Sequence, residues 1–197
     1  VGQFGEYLRA GGFGGRIVSF EPLPGAFRAL ASKAARDSAW TALNVGLGRE
    51  ERAVTLHVSR SDVYSSIRDV LPRLASFAGP AVESTSSREI VLHTLDGELP
   101  RHVAPGERAF LKIDTQGYEK DVILGARETL ARILGVQLEL SLRPLYAGEA
   151  GLAEMVAMLE GLGFELALFE PVTYDLEHRI LLQIDAIFFR SGTGPFA

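Results

Sequence analysis

Two strand-to-helix handovers carry the residues best suited to chemistry. Residues 110–126, Phe-Leu-Lys-Ile-Asp-Thr-Gln-Gly-Tyr-Glu-Lys-Asp-Val-Ile-Leu-Gly-Ala, read as an apolar strand that ends at Asp114, turns, and enters a helix. In an open α/β sheet, ligands bind at the carboxyl ends of strands. A carboxylate there can orient an acceptor hydroxyl or take its proton; equally, Asp114 or Thr115 can cap the helix. Glu119 ranks second as a catalytic acid or base, because the helix dipole alone favours an acid in a first turn. The other handover is Arg16-Ile-Val-Ser-Phe-Glu21 followed by Pro22-Leu-Pro24. A carboxylate at Glu21 can accept both hydroxyl hydrogen bonds of a ribose, or simply stand in solvent as a loop acid. The pair of handovers points to a nucleotide-type cofactor pocket.

Acceptor-side candidates follow from position. Gln116 lies at the helix entrance beside Gly117. Glu139 ends the apolar run Val136-Gln-Leu-Glu-Leu140, and the next loop carries Arg143 and Tyr146. Ser65 and Ser66 can bond a substrate from the irregular stretch, although a surface turn also accounts for them. They have no G-x-S-x-G setting and no triad spacing. Asp185 interrupts an apolar strand and needs a partner or a polar cavity. His57, His93, His102 and His178 are scattered without metal-ligand spacing, so no dedicated metal site is expected.

The elements that must hold these residues alternate. Residues 4–10 predict a short helix stopped by Gly11-Gly12, 16–20 a strand, 25–36 a helix, 41–45 a strand, and 53–58 and 89–95 half-buried strands. A helix over about 119–133, a strand at 136–140 and a helix near 152–162 follow. Alternation of this kind predicts a mostly parallel sheet with right-handed crossovers. Residues 164–169 and 180–189 are strands without an intervening helix, so the last strand is expected to be antiparallel. Between 59 and 88 lie eight serines with Pro72, Gly79 and Pro80, an excursion or lid within one domain of residues 1–190. Residues 191–197 are expected to fray.

Composition limits the partners. With 197 residues, 47% hydrophobic and 23% charged, the chain can bury a sizeable core. A formal charge of −5 without a basic block argues against nucleic acid and for a small-molecule or glycan ligand. The chain has no cysteine, hence no disulfide or thiolate chemistry, and a cytoplasmic location is expected. No apolar run approaches the ~20 residues of a membrane span. Phe77, Phe169 and Phe196 are core or interface candidates, compatible with a homo-oligomer.

Taken in order, Arg16-Ile-Val-Ser-Phe-Glu-Pro22, Leu95-Asp96, Leu111-Lys-Ile-Asp-Thr-Gln-Gly-Tyr-Glu119 with Gly125-Ala126, Val136-Gln-Leu-Glu-Leu140 and residues 181–190 resemble the FkbM-type S-adenosylmethionine-dependent methyltransferases. The resemblance implies a Rossmann-like class I sheet of seven strands with an antiparallel last strand. It also implies methyl transfer to a hydroxyl oxygen of a sugar or secondary metabolite. By matching position, Glu21 would bind the cofactor ribose, Gly2 would close the first cofactor loop, Asn44 and the residues after it would border the adenine, and Asp114 would lie beside the methyl donor. Members of the family begin with a strand and an Asp-x-Gly-Ala-Asn-like loop. This chain starts at what looks like the end of that loop, so the first strand is expected to be missing. Two other classes share parts of the pattern: a nicotinamide-dependent oxidoreductase, which should show G-x-G-x-x-G after its first strand, and a cofactor-free binding or scaffold domain of the same fold.

Overall fold

Glycine and proline positions set where the chain turns from one element to the next. The structure, a computed structural model, describes residues 1–104 and 106–193. Helix α1 (Gln3–Ala10) starts at Gly2, whose φ of 75° is the left-handed conformation that suits glycine. Strand β1 (Ile17–Phe20) leads into α2 (Pro24–Ala34), with Pro24 in the first turn, where a missing N–H costs nothing. Then come β2 (Trp40–Leu43), β3 (Gly46–Leu47) and β4 (Arg52–Ser59). Beyond a 3-10 turn at Asp62–Tyr64 lie α3 (Pro72–Ala78), β5 (Ser84–His93) and α4 (Leu95–Glu98). The carboxyl half consists of β6 (Ala109–Ile113), α5 (Glu119–Leu124), α6 (Arg127–Leu130), β7 (Ile133–Ser141), α7 (Leu152–Gly161), β8 (Phe164–Asp175) and β9 (Ile180–Arg190).

The expected single, mostly parallel sheet is replaced by three hydrogen-bonded groups of mixed direction: β1-β2, β3-β5-β4 and β6-β7-β9-β8. The pairs β1–β2, β3–β5 and β6–β7 are parallel, and β4–β5, β7–β9 and β8–β9 are antiparallel. Connection length explains the mixture. A turn as short as 176–179 cannot carry a crossover, so β8 and β9 form the antiparallel hairpin expected from the sequence. Likewise, most of the serine-rich excursion is the far end of a second hairpin. Ser84–Ser87 are already strand, paired with residues 57–59 of β4. Among the described residues β1 bonds only to β2 and β6 only to β7. The ion pair of Arg16 with Glu107, at 3.4 Å, ties the amino ends of these two strands together.

The predicted helix over 119–133 is two helices, because Gly125 touches another backbone. A Cβ built there would lie 2.0 Å from the Gly48 carbonyl oxygen. Asp96 starts the second helix: its oxygens accept the N–H groups of Thr129 at 2.7 Å and Glu128 at 3.2 Å.

Alternation divides the four-stranded sheet into an apolar and a polar face. Ile113, Val136, Leu138, Leu140, Ile184, Ala186 and Phe188 are buried in one cluster with Val122 and Ile123 of α5 and Met155 and Leu159 of α7. Each such side chain contributes about 1.5–3 kcal/mol when fully buried. The register then brings Lys112, Gln137, Glu139, Gln183 and Asp185 to the opposite face. Asp185 finds its partners there: Lys112 pairs with one carboxyl oxygen and the Gln137 amide donates to the other at 2.7 Å.

Phe77 packs on a small cluster around Leu74 and Tyr146, whereas Phe169 is exposed on β8. In the expected tail, the Ser191 N–H donates to Gly163 O at 3.0 Å. Residues 194–197, with Phe196, lie outside the described residues. Among the described residues no helix is long and apolar enough to cross a membrane, and no three His, Asp or Glu side chains are grouped to hold a metal ion.

Candidate active site

The turn between β6 and α5 is built by its own helix. Glu119, the first residue of α5, reaches back so that Oε1 accepts the Thr115 N–H at 2.9 Å, the Thr115 hydroxyl at 3.1 Å and the Gly117 N–H at 3.2 Å. Its side chain is thereby committed to the turn and buried. Burial pushes its carboxyl up to about 7, against the opposing pull of the backbone N–H donors. The turn needs left-handed backbone at Gln116 (φ 54°) and at Gly117 (φ 90°). Glycine is also required at 117 for space, since a Cβ would fall 2.8 Å from that of Tyr146.

With the turn held from below, the Gln116 side chain can link its neighbours. Its amide nitrogen donates to Asp114 Oδ1 at 2.7 Å and to Glu139 Oε1 at 3.1 Å, while its oxygen accepts the Tyr146 hydroxyl at 2.6 Å. The Gln183 amide also donates to Glu139 Oε1, at 2.7 Å. The Ser66 hydroxyl donates to the Gln116 carbonyl at 2.7 Å. Burial first, and then the charge of Asp114, raise the Glu139 carboxyl to about 7. Tyr146, fully buried and facing Glu139, is raised further and remains a phenol donor. Asp114 is exposed, and Gln116 occupies one of its two oxygens. The Asp114 charge helps Glu139 retain a proton near neutral pH, while the remaining Asp114 oxygen is open to a hydroxyl bound from solvent.

The residues after β1 form a second, separate arrangement. Glu21 is half-buried; its Oε1 accepts the Leu23 N–H at 2.9 Å, and Oε2 has no partner among the described residues. Burial raises its carboxyl above the ordinary range. The Asn44 amide donates to the carbonyls of Glu21 at 2.8 Å and Pro22 at 3.1 Å, so it is a brace for this turn. Leu23 and Ala26, just after this turn, and Tyr118, just after the other, enter one buried cluster with Leu56, Ile90 and Leu92. Gly2 packs elsewhere, over Leu30, Lys33 and Trp40.

The structure thus brings together Asp114, Gln116, Glu139, Tyr146 and, through a carbonyl, Ser66. It leaves Ser65 apart, where its hydroxyl accepts the Ser59 N–H at 3.1 Å. Arg143 is exposed and outside the network. Gln183 is the member that sequence reading missed; its place two residues before Asp185 on an alternating strand was the available signal.

A scan against protein-family models matches the Methyltransferase FkbM domain over residues 3–166. The chain belongs to the FkbM methyltransferase family. Among solved structures, the FkbM methyltransferase of Methylobacillus flagellatus KT is similar in fold, with a TM-score of 0.53 at 14% identity over 95% of this chain. The chain spans 40% of that protein's length. A search of curated proteins gave no match. Within the FkbM family assignment, the two acid-bearing turns are the features that need a chemical role.

Proposed function

We propose that this chain is an S-adenosylmethionine-dependent methyltransferase domain acting on a hydroxyl oxygen of a sugar or secondary metabolite. The observation that carries the reading is the Asp114–Gln116–Glu139 network at the carboxyl end of β6, together with the half-buried Glu21 at the end of β1. Glu21 suits a ribose diol: it is partly desolvated, fixed by one backbone N–H, and has a carboxyl oxygen to spare. Residues 44–48 would border the same ligand. Bound S-adenosylmethionine supplies a sulfonium methyl group open to displacement by an oxygen.

The residues of this chain then have to align and deprotonate the acceptor. Asp114 offers Oδ2 to the acceptor hydroxyl and takes its proton as the new O–C bond forms. Glu139 stands across the Gln116 amide from it, and Gln116, fixed by Tyr146, prevents Asp114 from turning away. Holding the reacting atoms within about 3–3.5 Å accounts for most of the remaining acceleration. Glu119 holds the turn that carries Asp114. Gln116 and the loop bearing Arg143 would form acceptor-side walls, with the buried Tyr146 and Ser66 holding Gln116 from behind.

Calorimetric titration of S-adenosylhomocysteine tests the cofactor half: binding is expected, weakened on the order of tenfold in Glu21→Ala. Absence of binding at millimolar ligand would leave a cofactor-free domain as the better reading. Asp114→Asn tests the other half. Turnover should fall roughly 100-fold or more at unchanged cofactor affinity, and full turnover would remove Asp114 from the mechanism.

A further inference from the structure

An open cleft of about 520 Å³ lies next to this network and takes no part in it. It is lined by Arg49, Arg52, His57, Arg68, Tyr118 and Asp121. Asp121 fixes two of the arginines: Oδ1 accepts from Arg49 Nε at 2.6 Å and Oδ2 from Arg68 Nη2 at 2.9 Å. With a side chain only 3% exposed, Asp121 is the one buried carboxylate of the lining. The other acids, Glu50 and Asp69, have side chains 59% and 85% exposed and reach their partners at 3.6 and 3.8 Å.

The guanidinium donors are only partly used. Arg68 lies over the Tyr118 ring at 5.3 Å and spends Nη1 on Ala147 O, yet its Nε is buried without a partner among the described residues. Arg49 spends Nε alone; among the described residues neither terminal nitrogen has a hydrogen-bond acceptor. Arg52 gives Nη2 to the Tyr118 hydroxyl at 3.1 Å. The Arg49 terminal nitrogens stand at the cleft while Asp121 fixes the base of that side chain, so those donors are open to an anion from solvent. Guanidinium forks oriented by a carboxylate and an aromatic face suit a planar or tetrahedral oxyanion.

The cleft also shares a wall with the proposed acceptor site. The Arg68 N–H donates to Ser66 Oγ at 3.0 Å, and the same hydroxyl donates to the Gln116 carbonyl. Ala147, which accepts from Arg68, follows Tyr146 directly. We infer that the cleft is an oxyanion subsite formed by Arg49, Arg52 and Arg68, and that the methyl acceptor carries the phosphate or carboxylate that fills it. The word acceptor rests on the methyltransferase reading; the anion site itself does not.

The test is calorimetry on the full chain with inorganic phosphate, methyl phosphate and acetate at constant ionic strength, alongside S-adenosylhomocysteine. Saturable binding of methyl phosphate or acetate is expected, and the tighter of the two names the group. Arg49→Ala and Arg52→Ala, both at half-exposed positions, should each weaken it on the order of tenfold, with circular dichroism melting to verify folding. No binding of any anion, or binding that both variants leave unchanged, overturns the subsite. Binding of inorganic phosphate alone overturns its assignment to an acceptor. A chain that binds methyl phosphate but not S-adenosylhomocysteine keeps the subsite and loses the methyltransferase reading; the converse loses the subsite alone.

Discussion

The turns after β1 and β6 begin alike, with an apolar strand ending in an acid before a helix, and they are held together by different means. After β1, Glu21 itself accepts the Leu23 N–H, and Asn44 braces the carbonyls from outside. After β6, Glu119 takes the amides of Thr115 and Gly117, and Asp114 is relieved of any duty to its own backbone. An acid at a strand end is available to a ligand in proportion to how much of the turn another residue supports. By that measure Asp114 is the freer of the two, and Glu21 keeps one oxygen.

The contrast can be broken most severely at Gly117. Gly117→Ala forces a side chain into φ 90° and against Tyr146, and unfolding should become easier by roughly 3 kcal/mol in a denaturant titration. Next comes Glu119→Ala, which strands the Thr115 and Gly117 amides and should cost about 2 kcal/mol. Glu119→Gln keeps the accepting oxygen and should restore most of that loss; an equal loss in both variants would mean that the carboxylate charge matters and the bonds do not.

A pH series sharpens the same point. The folded-state carboxyls of Glu119 and Glu139 stand near 7 against an ordinary 4.5, so the folded chain binds more protons than the unfolded one between those values. Stability from this source is complete below about pH 4.5 and is lost as pH rises through 7. Denaturation midpoints should therefore decline across that interval, and Glu119→Gln should flatten the decline. The smallest effect is expected on the other turn: Asn44→Ala removes two bonds at an exposed site and should cost about 0.5–1 kcal/mol.

Much of this was legible in the chain. The handovers at Glu21 and Asp114, the carboxyl-terminal hairpin and the need of Asp185 for partners are properties of local pattern, where spacing alone decides which face a residue takes. The break at Gly125 was not legible, because its cause is the Gly48 carbonyl, distant in sequence. Glu119 looked like a first-turn acid, and only the backward reach of its side chain separates a dipole partner from a brace. The arginine cleft draws on residues 49, 50, 52, 57, 67–69, 118, 121 and 147, and no window along the chain contains it. The division into three strand groups likewise depends on which edges meet, a matter of long-range pairing.

The contact between Gly48 and Gly125 has a mechanical meaning. One glycine precedes Arg49 and the other closes the helix that carries Asp121, and the two backbones meet with no room for a methyl group between them. Such a contact ties the backbone of Arg49 to the end of the helix whose Asp121 grips the Arg49 side chain. An anion bound at the proposed subsite would then meet an Arg49 fork anchored in advance, and less of its binding energy would go to ordering the protein.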